Sequence, residues 1–180
     1  MISELTDRLF SDEPAETLYH YTTFKGFLGI VDSGVLWASD LRYMNDSAEL
    51  LHATDLMHEE IKHLIARGHQ HPSLFNQLLD WMQYRVSDGH MVFAASFRSN
   101  GNLLSQWRGY SSVGKGVSLG FNPQYITHCA REQGFQVGRC IYDLEKQRRV
   151  IRTILKGVVQ LATQNPQITA TNYQSLFEMV

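Results

Sequence analysis

Short strand-like runs alternate with helix-like runs along all 180 residues of the chain, and this alternation restricts the fold more than any single motif does. TLYHYTT (Thr17 to Thr23), VLWAS (Val35 to Ser39), GVSLGF (Gly116 to Phe121) and FQVGRCIY (Phe135 to Tyr142) have the β-branched and aromatic bias of strands. MVFAASF (Met91 to Phe97) is nearly continuous in apolar residues, the pattern of a buried central strand.

The helical runs carry their own boundary signals. Thr23 can N-cap FKGFLGIVDSG, in which Phe24, Phe27, Leu28 and Val31 share one face and Gly34 suits the position after the last turn. Asp46 and Glu49 have capping-box spacing, and Leu50, Leu51, Ala53, Leu56, Met57, Ile61, Leu64 and Ile65 then recur at helical intervals up to Gly68. Pro72 opens a further helix, HPSLFNQLLDWMQYRV. Leu103 to Tyr110, NPQYITHCAREQG, DLEKQRRVIRTILKGVVQLATQ and TNYQSLFEMV extend the helical set, and a short helix leads the chain. Such interspersion predicts an α+β (mixed α/β) fold. With no repeat, linker or low-complexity tract, the expectation is a single domain over residues 1–180.

Apolar residues make up 43% of the chain and charged residues 19%, as in a soluble globular protein. A net charge of −2 and a pI near 6.4 give no global attraction to nucleic acid or to an anionic membrane. Met91 to Phe97 is the longest apolar run and too short to span a bilayer. MISELTDRLF lacks the features of a secretory leader, so a cytoplasmic protein is expected, with Cys129 and Cys140 as reduced thiols.

Several apparent motifs fail on spacing. Gly109 to Lys115 scans as G-x-x-x-x-G-K, but Gly116 stands where a P-loop needs a hydroxyl, and strand character follows where a helix is needed. Gly114, Gly116 and Gly120 are one residue too long for a dinucleotide fingerprint. In HEEIKH the two histidines are one residue too far apart for a zincin pair, and the cysteines lack C-x-x-C spacing, so no metal is expected. Arg148, Arg149, Arg152 and Lys156 read as a solvated helical face paired with Glu145, in preference to a nucleic-acid contact.

Three polar clusters remain: YHYT, in which His20 points opposite to Tyr19 and Tyr21; MNDSAE, from Met44 to Glu49; and SQWRGY followed by GKGVSLGF. The order LYHYT, MND with a following Glu, VFAASF, W-x-x-Y and GKGVSLGF resembles a widespread bacterial domain family of unknown function over Leu18 to Phe121. Members of that family are placed near phage-defence and toxin–antitoxin systems. The family is itself distantly similar to ADP-ribosyltransferases of the diphtheria-toxin and poly-ADP-ribose polymerase type.

The resemblance implies a split, mostly antiparallel sheet flanked by helices and a site for NAD as substrate. His20 would bind the adenosine ribose, with Thr22 nearby, and Tyr110 or Tyr21 would stack on nicotinamide. Trp107 belongs to the same aromatic segment. Gly114, Lys115 and Gly116 would let the backbone approach the ligand, and Arg108 or Lys115 would offset pyrophosphate charge. The implied catalytic set is His20, Tyr110 and a third-motif acid. The family's E-x-E-W-R-like segment has no match from Lys146 to Val180, which leaves Glu49 and Glu145 as substitutes. An incomplete C-terminal end, an acid supplied by a protein partner, or a non-catalytic nucleotide- or protein-binding module are the alternatives.

Overall fold

The structure is a computed structural model that describes residues 2–44, 47–87, 91–110 and 115–165. Its elements run α1 (Ile2–Leu9), β1 (Leu18–Thr23), α2 (Phe24–Ser33), β2 (Ser39–Asp40), a 3-10 turn (Leu41–Tyr43) and α3 (Ser47–Ala66). They continue with α4 (Pro72–Ser87), β3 (Phe93–Ala94), α5 (Leu104–Tyr110), β4 (Gly116–Phe121), α6 (Pro123–Glu132) and α7 (Leu144–Gln164). The class is α+β, and both sheets among the described residues are antiparallel pairs, β1 with β4 and β2 with β3. No helix among the described residues is long and apolar enough to cross a membrane.

The chain divides into two compact units, each built from discontinuous segments. One is helical, comprising Met1–Leu9, Asp46–Met91 and Cys140–Val180. Its core is formed by Leu56, Met57 and Ile61 of α3, Leu74, Phe75 and Leu78 of α4, and Ile151, Leu155, Val158 and Ala162 of α7. The α7 set steps by four, three and four residues, which keeps one face on the core. The α3 stripe is narrower than its sequence pattern, because Leu51 is exposed.

The basic face of α7 departs from expectation. Arg148 and Arg152 do not simply pair with Glu145 in solvent; both donate to Glu60 of α3, whose side chain is only 7% exposed. Arg148 Nη1 lies 2.9 Å from Oε1, while Arg152 Nε and Nη2 lie 2.8 and 2.9 Å from Oε2 and Oε1. Arg148 also reaches the exposed Glu59 at 2.8 Å. Helical spacing identifies partners on the same helix, but a carboxylate buried on another helix has a stronger need for the guanidiniums.

The second unit, Phe10–Asn45 with Val92–Arg139, holds both sheets. β1 pairs with β4 in the register His20 to Leu119 and Tyr21 to Ser118. On the other edge of β1, the Tyr19 and Arg98 backbones exchange two 2.8 Å hydrogen bonds. The Tyr19 ring lies so close to Gly101 that a Cβ there would come within 2.5 Å of it, which is why the loop after Arg98 needs a glycine.

Local caps behave as read. Thr23 Oγ1 accepts from the Gly26 N–H at 3.1 Å, and Gly34, with φ of 66°, donates to the Ile30 carbonyl. Asn122 and Asp143 cap α6 and α7 in the same way.

Three expected strands do not form as such. VLWAS contributes only Ser39 to a strand. In MVFAASF only Phe93 and Ala94 are strand, and Met91, Val92 and Phe93 are exposed rather than central. FQVGRCIY is irregular throughout. All three have strand composition, but a strand exists only where a second backbone offers its hydrogen bonds, and here the partners are two residues long or lacking among the described residues. The apolar face of α2 is another departure: Phe24, Leu28 and Val31 are exposed, and the helix buries no residue. Asp46 and TNYQSLFEMV lie outside the described residues.

Candidate functional site

A cleft of about 420 Å³ opens in the sheet-bearing unit. β1 contributes Tyr19 to Thr23, and α5 contributes Gln106, Gly109 and Tyr110. The remaining walls come from Trp37, Ser39, Tyr43 and Met44 and from Ala94 to Ser96 with Arg98. Of these walls, α5 packs against β1, and the segment ending at Arg98 is bonded to β1 at Tyr19.

His20 is held on two sides. Its Nδ1 lies 3.1 Å from the Ser96 carbonyl, and its ring centroid is 5.8 Å from that of Phe97. Phe97 in turn stands edge-on to Phe121 of β4. A carbonyl oxygen only accepts, so Nδ1 donates to it, and Nε2 is the ring nitrogen left for a ligand. A ring fixed in this way can take a hydrogen bond from a ligand hydroxyl without a tautomer change.

Tyr21, on the opposite face of β1, has a different part. It is 5% exposed; its hydroxyl donates to the Asn100 carbonyl and accepts from the Leu103 N–H, both at 2.8 Å. Its ring meets Trp107 edge-on at 5.0 Å, and Trp107 Nε1 donates to Asn102 Oδ1 at 2.9 Å. Asn102 N–H donates to Asn100 Oδ1 at 2.8 Å. Together these bonds tie the 100–103 loop to β1 and set the start of α5, where the Leu103 carbonyl accepts from Gln106 and Trp107. Tyr21→Phe keeps the ring but orphans a carbonyl and an N–H. The expected loss is about 1–3 kcal/mol of stability, read by urea denaturation. A loss below measurement error would show that the hydroxyl does not pin the loop.

The residues singled out from the sequence therefore separate. The cleft brings together His20, Tyr21, Thr22 and Tyr110. Of the two tyrosines considered for stacking on a ligand, Tyr110 is half-buried, whereas Tyr21 is committed to the internal network. Trp107 is bound to that network as well. Arg108 and Lys115 are exposed and, like Gly116, are not among the lining residues; Gly116 pairs with Thr23 at the end of the sheet. Gly114 lies outside the described residues. Glu49 is on α3, in the helical unit, and its side chain is not among those described; Glu145 is exposed on α7.

Sequence reasoning missed Arg98, Trp37 and Tyr43. Arg98 is the formally charged side chain among the described lining residues, the place assigned from sequence to Arg108 or Lys115. It carries no motif; its only signal is its position just after the apolar Met91 to Phe97 run. Trp37 and Tyr43 sit in short segments whose exposure depends on the fold.

Residues 106–175 match the family model described as "Protein of unknown function (DUF2971)". The match takes in Gln106, Gly109 and Tyr110 of the cleft and continues through β4, α6 and α7. It overlaps the stretch that carried the sequence resemblance only in its final portion, Gln106 to Phe121. No curated protein and no solved structure matches the chain.

Proposed function

We propose that the cleft binds NAD and that the chain is an ADP-ribosyltransferase-like protein, of the bacterial defence or toxin type that the resemblance suggests. The observation that carries this reading is the convergence of His20 from β1 and Tyr110 from α5 on one cleft, with the His20 ring locked by Ser96. His20 Nε2 accepts from a ribose hydroxyl, and the Tyr110 ring suits the flat, cationic nicotinamide. Arg98 supplies positive charge for the pyrophosphate. Transfer would break the bond between the ribose C1′ and the nicotinamide nitrogen through an oxocarbenium-like state, with nicotinamide leaving and a nucleophile of the acceptor, or water, taking up the ADP-ribosyl group. None of the described lining residues is a carboxylate, so the acid that would stabilise that state comes from outside them.

A second reading, a nucleotide-binding module without catalysis, draws on the make-up of the described lining. Thr22, Thr23, Ser39 and Ser96, with the aromatics and Arg98, are groups that hold a nucleotide.

Calorimetric titration with NAD, with nicotinamide release followed in parallel, separates the two. Binding with release supports the transferase, and binding without release supports the module. His20→Ala and Tyr110→Ala are each expected to weaken binding about tenfold, the equivalent of one lost hydrogen bond or ring contact. No binding to the intact chain rejects both as NAD readings. Binding unchanged in both variants rejects the site.

A further inference from the structure

Trp37 is 81% exposed and Tyr43 is 86% exposed, yet both line the cleft. An open aromatic face at the rim of a cleft is a platform on which a flat ring can stack. Ser39 and Met44 line the same wall, so the run from residue 37 to residue 44 forms a side of the cleft separate from β1 and α5.

The turn that presents Tyr43 is held firmly. Asp40 accepts from Arg42 Nε at 3.1 Å to each oxygen and from Nη2 at 2.6 Å, and its Oδ1 also takes the Arg42 N–H at 3.0 Å. The Leu41 N–H donates to the Val92 carbonyl at 2.9 Å, tying the turn to the strand segment beside it. A ring carried on a braced turn loses little freedom when a ligand stacks on it.

Ring size favours one ligand. The Arg42 guanidinium carbon lies 5.9 Å from the Tyr43 ring centroid, with its charge balanced by Asp40. Of the two flat rings of NAD, the bicyclic purine offers the larger stacking face to such aromatics.

We infer that Trp37 and Tyr43 form a purine subsite that receives the adenine ring of a nucleotide by stacking. This rests on the nucleotide reading of the same cleft and adds to it the base and the residues that hold it.

The probes are AMP, which has the purine and lacks nicotinamide, and nicotinamide mononucleotide, which has the reverse composition. AMP is expected to bind the intact chain and quench its tryptophan emission. Trp37→Ala should abolish the quench and weaken AMP about tenfold or more, as should Tyr43→Ala for affinity. Trp37→Phe, which keeps a flat ring, should retain most of the affinity. Nicotinamide mononucleotide should bind all three variants as it binds the intact chain. Because both rings are exposed, circular dichroism of the variants should match that of the intact chain.

Failure of AMP to bind, or equal AMP affinity in Trp37→Ala, Tyr43→Ala and the intact chain, overturns the purine subsite. If NAD binds in a His20-dependent manner while AMP does not, the NAD reading stands and the subsite falls. If AMP binds in a Trp37-dependent manner while NAD and nicotinamide mononucleotide do not, the subsite stands and the NAD reading falls.

Discussion

Phe75→Ala is expected to remove about 3–5 kcal/mol of stability, since Phe75 is the largest fully buried side chain among the described residues. Phe75 is fully buried on α4, among Leu56, Ile61, Leu155 and Val158 of the helical core, and its ring meets His69 edge-on at 4.8 Å. Truncation forfeits both the transfer of the ring out of water and the contacts its neighbours made with it, since packed helices close such a cavity only in part. A domain has about 5–15 kcal/mol in total, so this one change brings the helical unit close to unfolding. Urea denaturation followed by far-ultraviolet circular dichroism measures it. Ile61→Val, a single methyl lost in the same core, should cost only about 1 kcal/mol. If both substitutions cost the same small amount, the core is not packed around Phe75.

Glu60→Ala is the second large effect, at about 2 kcal/mol, because it removes the acceptor of charge-assisted hydrogen bonds from two guanidiniums on α7. The figure is held to the low end of the range because Arg152 is half exposed and water can take over its hydrogen bonds. The carboxyl of Glu60 is held below the usual range first by the hydrogen bonds from Arg152; burial opposes this, and the bond from Arg148 adds to it. A carboxyl depressed on folding contributes stability above its unfolded pKa, about 4.3, and that contribution is lost as pH falls through the lower folded value. The native chain should therefore lose stability on acidification below about pH 4. Glu60→Gln should start from a lower stability at neutral pH and lose less on acidification. Parallel pH profiles for the two proteins would show that Glu60 does not anchor α3 to α7. Raising the salt concentration should weaken the exposed Glu59–Arg148 pair more than the bond from Arg148 to Glu60.

The helices were legible because their signals are local. Thr23 and Gly34 bracket α2 and Pro72 opens α4, while the runs that begin at Asn122 and Asp143 read as helices whose caps the structure then shows at those two residues. The strands were legible only in part. TLYHYTT and GVSLGF find each other across about a hundred residues, whereas VLWAS, MVFAASF and FQVGRCIY have the same composition and little or no ladder. Nothing in a single segment reveals whether a second backbone will meet it.

The same division runs through the site. His20 and Tyr110 were named from the order of the motifs, and the fold places both on one cleft. Arg108 and Lys115, chosen because they sit in the glycine-rich segment, are exposed and outside the lining, while Arg98, with no motif around it, lies within it. Charge in a sequence has a sign but no direction, and the direction is set by the backbone exchange between Tyr19 and Arg98.

By itself the sequence determined the α+β class, the caps of α2, the extents of most helices, and the alternation that puts His20 and Tyr21 on opposite faces of one strand. Those properties depend on neighbours a few residues away and on the fixed periods of helix and strand. Only the tertiary structure decided that Tyr21 is a buried brace, that Glu60 gathers the α7 arginines, and that Trp37 and Tyr43 stand open beside His20. Burial, pairing and exposure depend on which distant residues arrive at a point in space, and chain connectivity alone does not specify that.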